Sequence, residues 1–170
     1  MIKIFTDADN CTRKVRAFLE NFCQSNKNTK LFFVANHQVL SDKDTPLFEM
    51  IICPQEKDSA DNYIFENCDC NSIIITRDLG LASRILDKQK KIQEELIQKR
   101  IINVKPKLPV MNDKGILFDS YNLPKMLKDR ELSLNLQAIG INRGKIGNNY
   151  SQKDYETFCR KFSEIASLMD

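Results

Sequence analysis

The chain has 170 residues, of which 42% are hydrophobic and 29% charged, with a formal net charge of +3. This balance is typical of one folded domain with its own apolar core, and it excludes a disordered chain. No apolar run has the ~18 residues of a membrane-spanning helix, and the acids at positions 7 and 9 interrupt any N-terminal leader. We therefore expect one cytoplasmic domain over residues 1–170, with no membrane partner.

The charges are unevenly distributed along the chain. Residues 1–83 carry 9 basic and 12 acidic side chains, whereas residues 84–170 carry 17 and 11. An acidic first half beside a basic second half is typical of a metal site next to a surface that binds a polyanion. A solvated face of lysines would explain the same counts.

Alternating strands and helices are predicted in the first hundred residues. Continuously apolar segments predict β-strands at 2–5, 30–35, 48–53 and 72–76. Helical spacing of apolar residues predicts helices at 11–25, 58–68 and 79–100. Because the strands are apolar throughout, both faces of the sheet should be covered, which favours a parallel arrangement. The order predicts a doubly wound α/β fold with four to five mostly parallel strands.

The pattern changes after residue 100. A fifth strand is expected near 101–104 or 108–111, followed by a turn at NDKG (112–115). A helix is predicted over 122–140 with Gly140 as its C-terminal cap, then a basic loop over 140–151. Ser151 is the expected N-cap of the final helix.

Six cysteines occur without any spacing typical of a zinc site, and the only histidine is His37. Reduced and mostly buried thiols are the favoured interpretation. Cys11 has two open interpretations. At the start of the first predicted helix its thiol pKa would be lowered by the helix dipole, whereas an inert cysteine would only fill the core.

Aspartates follow three of the predicted strands. Asp7 and Asp9 come after the first strand, Asp58 and Asp61 after the third, and Asp78 after the fourth. Because ligands of open parallel sheets bind beyond the carboxyl ends of the strands, these acids are expected on one rim. Clustered carboxylates repel unless a cation neutralises them, and oxygen ligands favour Mg²⁺ or Mn²⁺. Such ions support phosphodiester hydrolysis.

Helix capping is the alternative explanation for most of these acids. Asp9, Asp58 and Asp78 each stand where a helix N-cap is expected, and Asp61 stands at the acidic position of a capping box. Asp7 has no such structural explanation, because it ends a strand.

Four ordered motifs resemble those of the YaiI/YqxD family of bacterial proteins. They are MIKIFTDADNC, FFVAN, KDSADNYI and IIITRDLGLAS, which match the family's DADxC, VAN, DxADxxI and ITxDxxLA segments. The resemblance covers about residues 1–88 and resumes at 110–123 and 151–162. The family is itself similar to PIN-like nuclease domains, which implies a three-layer α/β/α sandwich with an acidic cluster at one end of the sheet.

The resemblance also implies roles for individual residues. Asp7, Asp58 or Asp61, and Asp78 would ligate Mg²⁺ or Mn²⁺, with Asp9 in or near the same site. Asn10, Asn36 and Asn62 would give polar support. Two segments depart from the family pattern: residues 89–108 look like a basic insertion that extends the third helix, and the loop before the last helix reads INRGKIGNN.

A metal-dependent nuclease acting on RNA is the leading hypothesis. Asp7, Asp9, Asp58, Asp61 and Asp78 would be its catalytic residues. Arg77, Arg143 and Lys145 would hold the phosphate backbone.

Two alternatives stay open. A haloacid-dehalogenase-like phosphatase would use Asp7 as nucleophile, but Cys11 stands where that family has Thr or Val. A non-catalytic nucleic-acid- or protein-binding module would keep only the fold. The absence of tryptophan and the 8% aromatic content argue against recognition mainly by base stacking.

Overall fold

The computed structural model describes residues 1–36, 48–101, 106–140 and 150–169. Within these ranges, five strands form a single sheet in the order β3-β2-β1-β4-β5. They are β1 (Ile2–Asp7), β2 (Thr29–Ala35), β3 (Phe48–Ile52), β4 (Ser72–Ile75) and β5 (Val110–Met111). Every neighbouring pair is parallel, so the predicted α/β class and parallel sheet are confirmed. The fifth strand takes the later of its two predicted places; the earlier one lies mostly outside the described residues.

Among the described residues, five α-helices flank the sheet: α1 (Arg13–Ser25), α2 (Ser59–Asn67), α3 (Leu79–Gln98), α4 (Asn122–Ala138) and α5 (Gln152–Ser167). The core on one face of the sheet contains buried residues of α1 and α5. The core on the other face contains residues of α2, α3 and the first turn of α4. The arrangement is therefore the three-layer α/β/α sandwich that the resemblance implied.

Strand periodicity decides which layer each side chain enters. Along β1, Ile2 and Ile4 pack in the core beneath α1 and α5, whereas Phe5 packs in the core beneath α2 and α3. Because alternate residues of a strand share a face, Asp7 points to the same side as Phe5. The last residue of β1 thus presents its carboxylate toward the beginnings of α2 and α3.

The layer of α1 and α5 is held together by aromatic rings. Phe18 meets Phe158 and Phe162 edge-on, with ring centroids 5.8 Å apart in each pair, and Phe22 meets Phe162 at 5.0 Å. Each edge-to-face pair stabilises the fold by about 0.5–1.5 kcal/mol beyond the free energy gained by burying apolar area. This packing anchors the C-terminal helix against the sheet.

Helix termini largely follow the predicted signals. Ser151 caps α5 in a capping box with Asp154, and Gly140 follows α4 with φ +80°, so both predicted caps are confirmed. Helix α3 continues to Gln98, through the first half of the segment 89–108. That this segment is an insertion stays a prediction. Within the described residues, no helix has the length and apolarity needed to cross a membrane.

Candidate functional site

The order of the strands puts a topological switch point between β1 and β4. The chain moves from β1 through β2 to β3 on one side of β1, and then crosses to β4 on the other side. In open α/β sheets, ligands bind in the crevice outside the carboxyl ends of the strands at such a point. Asp7 ends β1, and Thr76, Arg77 and Asp78 follow β4 directly. Two of the predicted acids therefore border the crevice.

Asp7 is a buried carboxylate, only 4% exposed. Its Oδ2 accepts hydrogen bonds from Asn10 Nδ2 at 2.9 Å and from Thr76 Oγ1 at 3.3 Å. Burial raises the pKa of Asp7 from its ordinary value and the nearby Asp9 adds to the rise, while both hydrogen bonds oppose it. Asn10 thus gives the polar support expected of it, and Thr76 joins the ends of β1 and β4.

Asp78 lies on the other side of the same threonine. Its backbone N–H donates to Thr76 Oγ1 at 3.0 Å, and its Oδ1 accepts from the N–H of Leu81 at 2.9 Å. The second bond makes Asp78 the N-cap of α3, so the capping interpretation is confirmed for this residue. A cap can still offer its other oxygen to a ligand, because the described cap bond engages only Oδ1.

Asp61 belongs to the first turn of α2 and is half-buried. Its pKa is raised from 3.8 to about 6, first by burial and then by repulsion from Asp78, Asp7 and Asp58, while Arg84 opposes the rise. The carboxylates predicted to share one rim therefore share one electrostatic field. Such a field favours the binding of a cation, because a cation removes the repulsion.

The cap alternative for Asp58 is confirmed in position only. Asp58 stands at the N-cap position of α2 with φ +60°, but no side-chain bond caps this helix, and Asp61 therefore forms no capping box with it. The exposed Asp58 is therefore at the edge of the acidic field.

Asp9 is also not a helix cap. Helix α1 begins at Arg13 with Thr12 at the N-cap position, whereas Asp9 lies in a short 3₁₀ turn. Its Oδ2 accepts from the backbone N–H of Asn36 at 2.9 Å, and Asn36 Oδ1 accepts from Ser59 Oγ at 3.0 Å. These contacts connect the ends of β1 and β2 to the start of α2. Asn62, the third predicted supporting amide, accepts instead from Arg84 at 2.9 Å.

A hard cation at this site would keep several water ligands. Among the described residues, no three His, Cys, Asp or Glu side chains are arranged to hold a metal ion. Mg²⁺, however, usually keeps several waters and is bound through one or two carboxylates. The donors at the switch point are carboxylate oxygens, and their mutual repulsion would be relieved by positive charge.

Asp113 is a buried acid that the sequence interpretation missed. It is 1% exposed, and its two oxygens accept from Arg77 Nε at 2.7 Å and Nη2 at 2.5 Å. Its backbone carbonyl accepts from the Tyr150 hydroxyl at 2.9 Å. The sequence pattern predicts only a turn at 112–115. The signal was the same as for the other acids, because VMND places polar residues directly after the apolar end of β5.

The predicted phosphate-binding residues have different outcomes. Arg77 donates two hydrogen bonds from its guanidinium to the Asp113 carboxylate, and these bonds raise the pKa of Arg77. Its side chain is 44% exposed, so part of it faces solvent beside the switch point. Arg143 and Lys145 lie outside the described residues.

Cys11 is a core residue, and the interpretation of a thiol with lowered pKa is wrong. It is 8% exposed, and burial raises its pKa far above the ordinary value, with repulsion from Asp113 as a further cause. All six cysteines are free thiols and four are buried, as the expectation of reduced, mostly buried cysteines required.

Comparisons with known proteins agree with the motif resemblance. The sequence model of a family described as "Uncharacterized BCR, YaiI/YqxD family" matches residues 5–95, more than half of the chain. A UPF0178 protein of Treponema denticola is 28% identical over 92% of this chain and 86% of its own length. UPF0178 proteins of Bordetella petrii (26% identity, 95% and 94% coverage) and Psychromonas ingrahamii (29%, 91% and 89%) are similar over comparable spans. No solved structure matches the chain.

Proposed function

We propose that this chain, which belongs to the YaiI/YqxD family, is a Mg²⁺- or Mn²⁺-dependent nuclease that hydrolyses RNA phosphodiester bonds. The observation that carries the proposal is the placement of Asp7 and Asp78 around Thr76 at the switch point of the sheet, and the raised pKa of Asp61 supports it. A carboxyl group such as Asp61, whose pKa is raised by burial and by neighbouring acids, is typical of a functional site. The resemblance to PIN-like nuclease domains supports the same chemistry.

One or two of the carboxylates of Asp7, Asp61 and Asp78 would bind the cation directly and the rest through its water ligands, with Asp58 at the edge of the site. When bound, the cation would activate a water molecule and stabilise the phosphoryl oxygens. The residues around it have positioning tasks. Thr76 and Asn10 hold the Asp7 carboxylate in one orientation through their hydrogen bonds.

Asp9 and Arg77 would act at the borders of the site. Asp9 holds the end of β2 against the turn after β1 and would order water on that side. Arg77, whose side chain is 44% exposed, would present positive charge to a phosphate, because Asp113 holds its guanidinium in place. A planar guanidinium fixed in this way loses little entropy when it binds a phosphate.

The test is cleavage of fluorescein-labelled single-stranded RNA by the purified chain in Mn²⁺, with and without a chelator. We expect cleavage that needs the metal and is abolished by Asp7→Asn. Asp87→Asn is the matched control, because Asp87 is an exposed aspartate on α3. This variant should cleave the RNA like the wild type. Equal cleavage by Asp7→Asn would mean that a contaminant cuts the RNA.

One observation favours a second candidate, a nucleic-acid-binding module without catalysis. No described set of three acidic, His or Cys side chains is arranged for a metal. Calorimetry of the chain with Mn²⁺ separates the two candidates. Binding that is lost in Asp7→Asn supports the nuclease, whereas no binding below millimolar Mn²⁺ supports the module.

A further inference from the structure

Arg84 reaches from α3 to the first turn of α2, beside the acidic site. Its Nη2 donates a hydrogen bond to Asn62 Oδ1 at 2.9 Å, and Asn62 directly follows Asp61 in that turn. Because side chains on a helix tilt toward its N-terminus, Arg84 extends toward the end of α3 that Asp78 caps. The guanidinium therefore lies near the rim that carries the acids.

The aromatic ring of Phe65 holds the guanidinium in this place. The central carbon of the Arg84 guanidinium lies 4.5 Å from the centroid of the ring, and Lys88 Nζ lies 5.0 Å from the same centroid. Lys88 also donates to the backbone carbonyls of Phe65 and Cys68 at 2.6 and 2.7 Å, where α2 ends. These contacts join α2 to α3 and fix the direction in which Arg84 points.

Arg84 differs from Arg77 in the chemistry of the groups that hold it. Arg77 donates to both oxygens of the Asp113 carboxylate, and this buried acid offsets much of its charge. Arg84 is held by a neutral amide and an aromatic ring, and it forms no ion pair with another described residue. Its positive charge therefore acts on the acids of the rim, and it opposes the rise in the pKa of Asp61.

A divalent cation would relieve the same repulsion between carboxylates that Arg84 already reduces. An arginine fixed beside the acids stabilises their charged forms when no metal is bound, and it repels a metal ion that approaches them. The acids alone would thus bind a cation more tightly than the acids together with Arg84. Mg²⁺ is usually bound through one or two carboxylates together with water and substrate phosphates, so a weakly held ion is suited to binding together with its substrate.

We propose that Arg84 is the tethered counter-ion of the acidic site and that it sets the affinity of this site for a divalent cation. The inference rests on the proposed nuclease function for the identity of the cation as Mg²⁺ or Mn²⁺. It adds a residue that tunes the metal site. The sequence pattern did not indicate this role, because α3 carries several basic residues of similar spacing.

Calorimetric titration with Mn²⁺ tests the effect on the metal. A unit charge at a partly exposed site changes an equilibrium constant by about threefold, and a doubly charged ion feels twice that free energy. Arg84→Gln should therefore bind Mn²⁺ about tenfold more tightly than the wild type, whereas Arg84→Lys keeps the charge and should bind like the wild type. Unchanged or weaker binding by Arg84→Gln would overturn the inference, because Arg84 would then only join the helices or position the acids.

The control removes an arginine from the opposite side of the molecule. Arg160 is exposed on α5, in the layer on the other face of the sheet, and Arg160→Gln lowers the net charge by the same amount. This variant should keep the wild-type affinity for Mn²⁺. Equal tightening in Arg84→Gln and Arg160→Gln would assign the effect to net charge and overturn the inference.

A double-mutant cycle in EDTA tests the counter-ion without any metal. Urea unfolding at pH ~7 compares the loss caused by Arg84→Gln in the wild type with the loss in Asp61→Asn. The loss should be about threefold larger, as a change in the equilibrium constant for unfolding, when Asp61 is present. Equal losses in the two backgrounds would overturn the inference.

The two measurements separate this inference from the proposed nuclease. Metal-dependent cleavage by a wild type whose affinity for Mn²⁺ equals that of Arg84→Gln removes the counter-ion and leaves the nuclease standing. Absence of Mn²⁺ binding in every variant removes the nuclease, and coupling of Arg84 to Asp61 in EDTA then supports the counter-ion by itself.

Discussion

Replacing Asp61 with Asn should stabilise the fold at neutral pH and leave it unchanged in acid. In the folded chain the pKa of Asp61 is raised from 3.8 to about 6 by burial and by Asp78, Asp7 and Asp58. Between these two values the native state binds more protons than the unfolded state, so the free energy of unfolding falls as pH rises. Asn carries no charge to repel, and the variant should escape this loss.

The size of the effect follows from the shift and the exposure of the group. A change in pKa of about two units corresponds to about 3 kcal/mol at full weight. Because Asp61 is half-buried, solvent screening reduces the expected gain to about 1 kcal/mol. The difference in unfolding free energy between variant and wild type should be near zero at pH ~3.5 and grow through pH ~4–6. Above pH ~6 it should be constant.

Urea unfolding in EDTA, followed by far-UV circular dichroism, measures this difference across the pH range. The chain has no tryptophan, so the helical signal is the better probe. Asp87→Asn serves as the control, since the same substitution at an exposed position of α3 should give no pH-dependent gain. If the stability curves of Asp61→Asn and the wild type run parallel from acid to neutral pH, the carboxylates do not share a field.

Two further predictions concern the Arg77–Asp113 ion pair and the reactivity of the thiols. Arg77→Gln should destabilise the fold by about 3 kcal/mol, because it leaves a buried carboxylate unpaired. Asp113→Asn should cost less, because the arginine left behind is 44% exposed and can turn to water. Equal losses of unfolding free energy in urea would contradict this asymmetry. In thiol titration of the native chain, the partly exposed Cys70 and Cys159 should react first. Cys11 should react only on unfolding, because burial raises its pKa, and rapid modification of Cys11 would show that it is not packed as described.

Local patterns predicted the elements well because local physics decides them. The apolar runs around Ile4 and Ile74 became central parallel strands, since only strands covered on both faces are apolar throughout. The caps at Ser151 and Gly140 were also predictable, because a side-chain hydroxyl and a positive φ act within one turn.

The roles of individual acids depended on contacts that sequence spacing does not show. Asp9 and Asp78 both follow a strand and precede a helix, yet only Asp78 caps one. The difference arises because a 3₁₀ turn follows β1 and carries Asp9 toward the backbone of Asn36, 27 residues away. No local rule predicts a partner at that distance along the chain.

By itself, the sequence determined the α/β class, the parallel sheet and the rim on which the acids gather, because these follow from strand periodicity and from the direction of parallel strands. Only the tertiary structure decided which groups face one another across that rim. It placed Thr76 between Asp7 and Asp78, paired Arg77 with Asp113 and buried Cys11. Burial and long-range contact set the pKa of a carboxyl or thiol, and both depend on how distant segments pack.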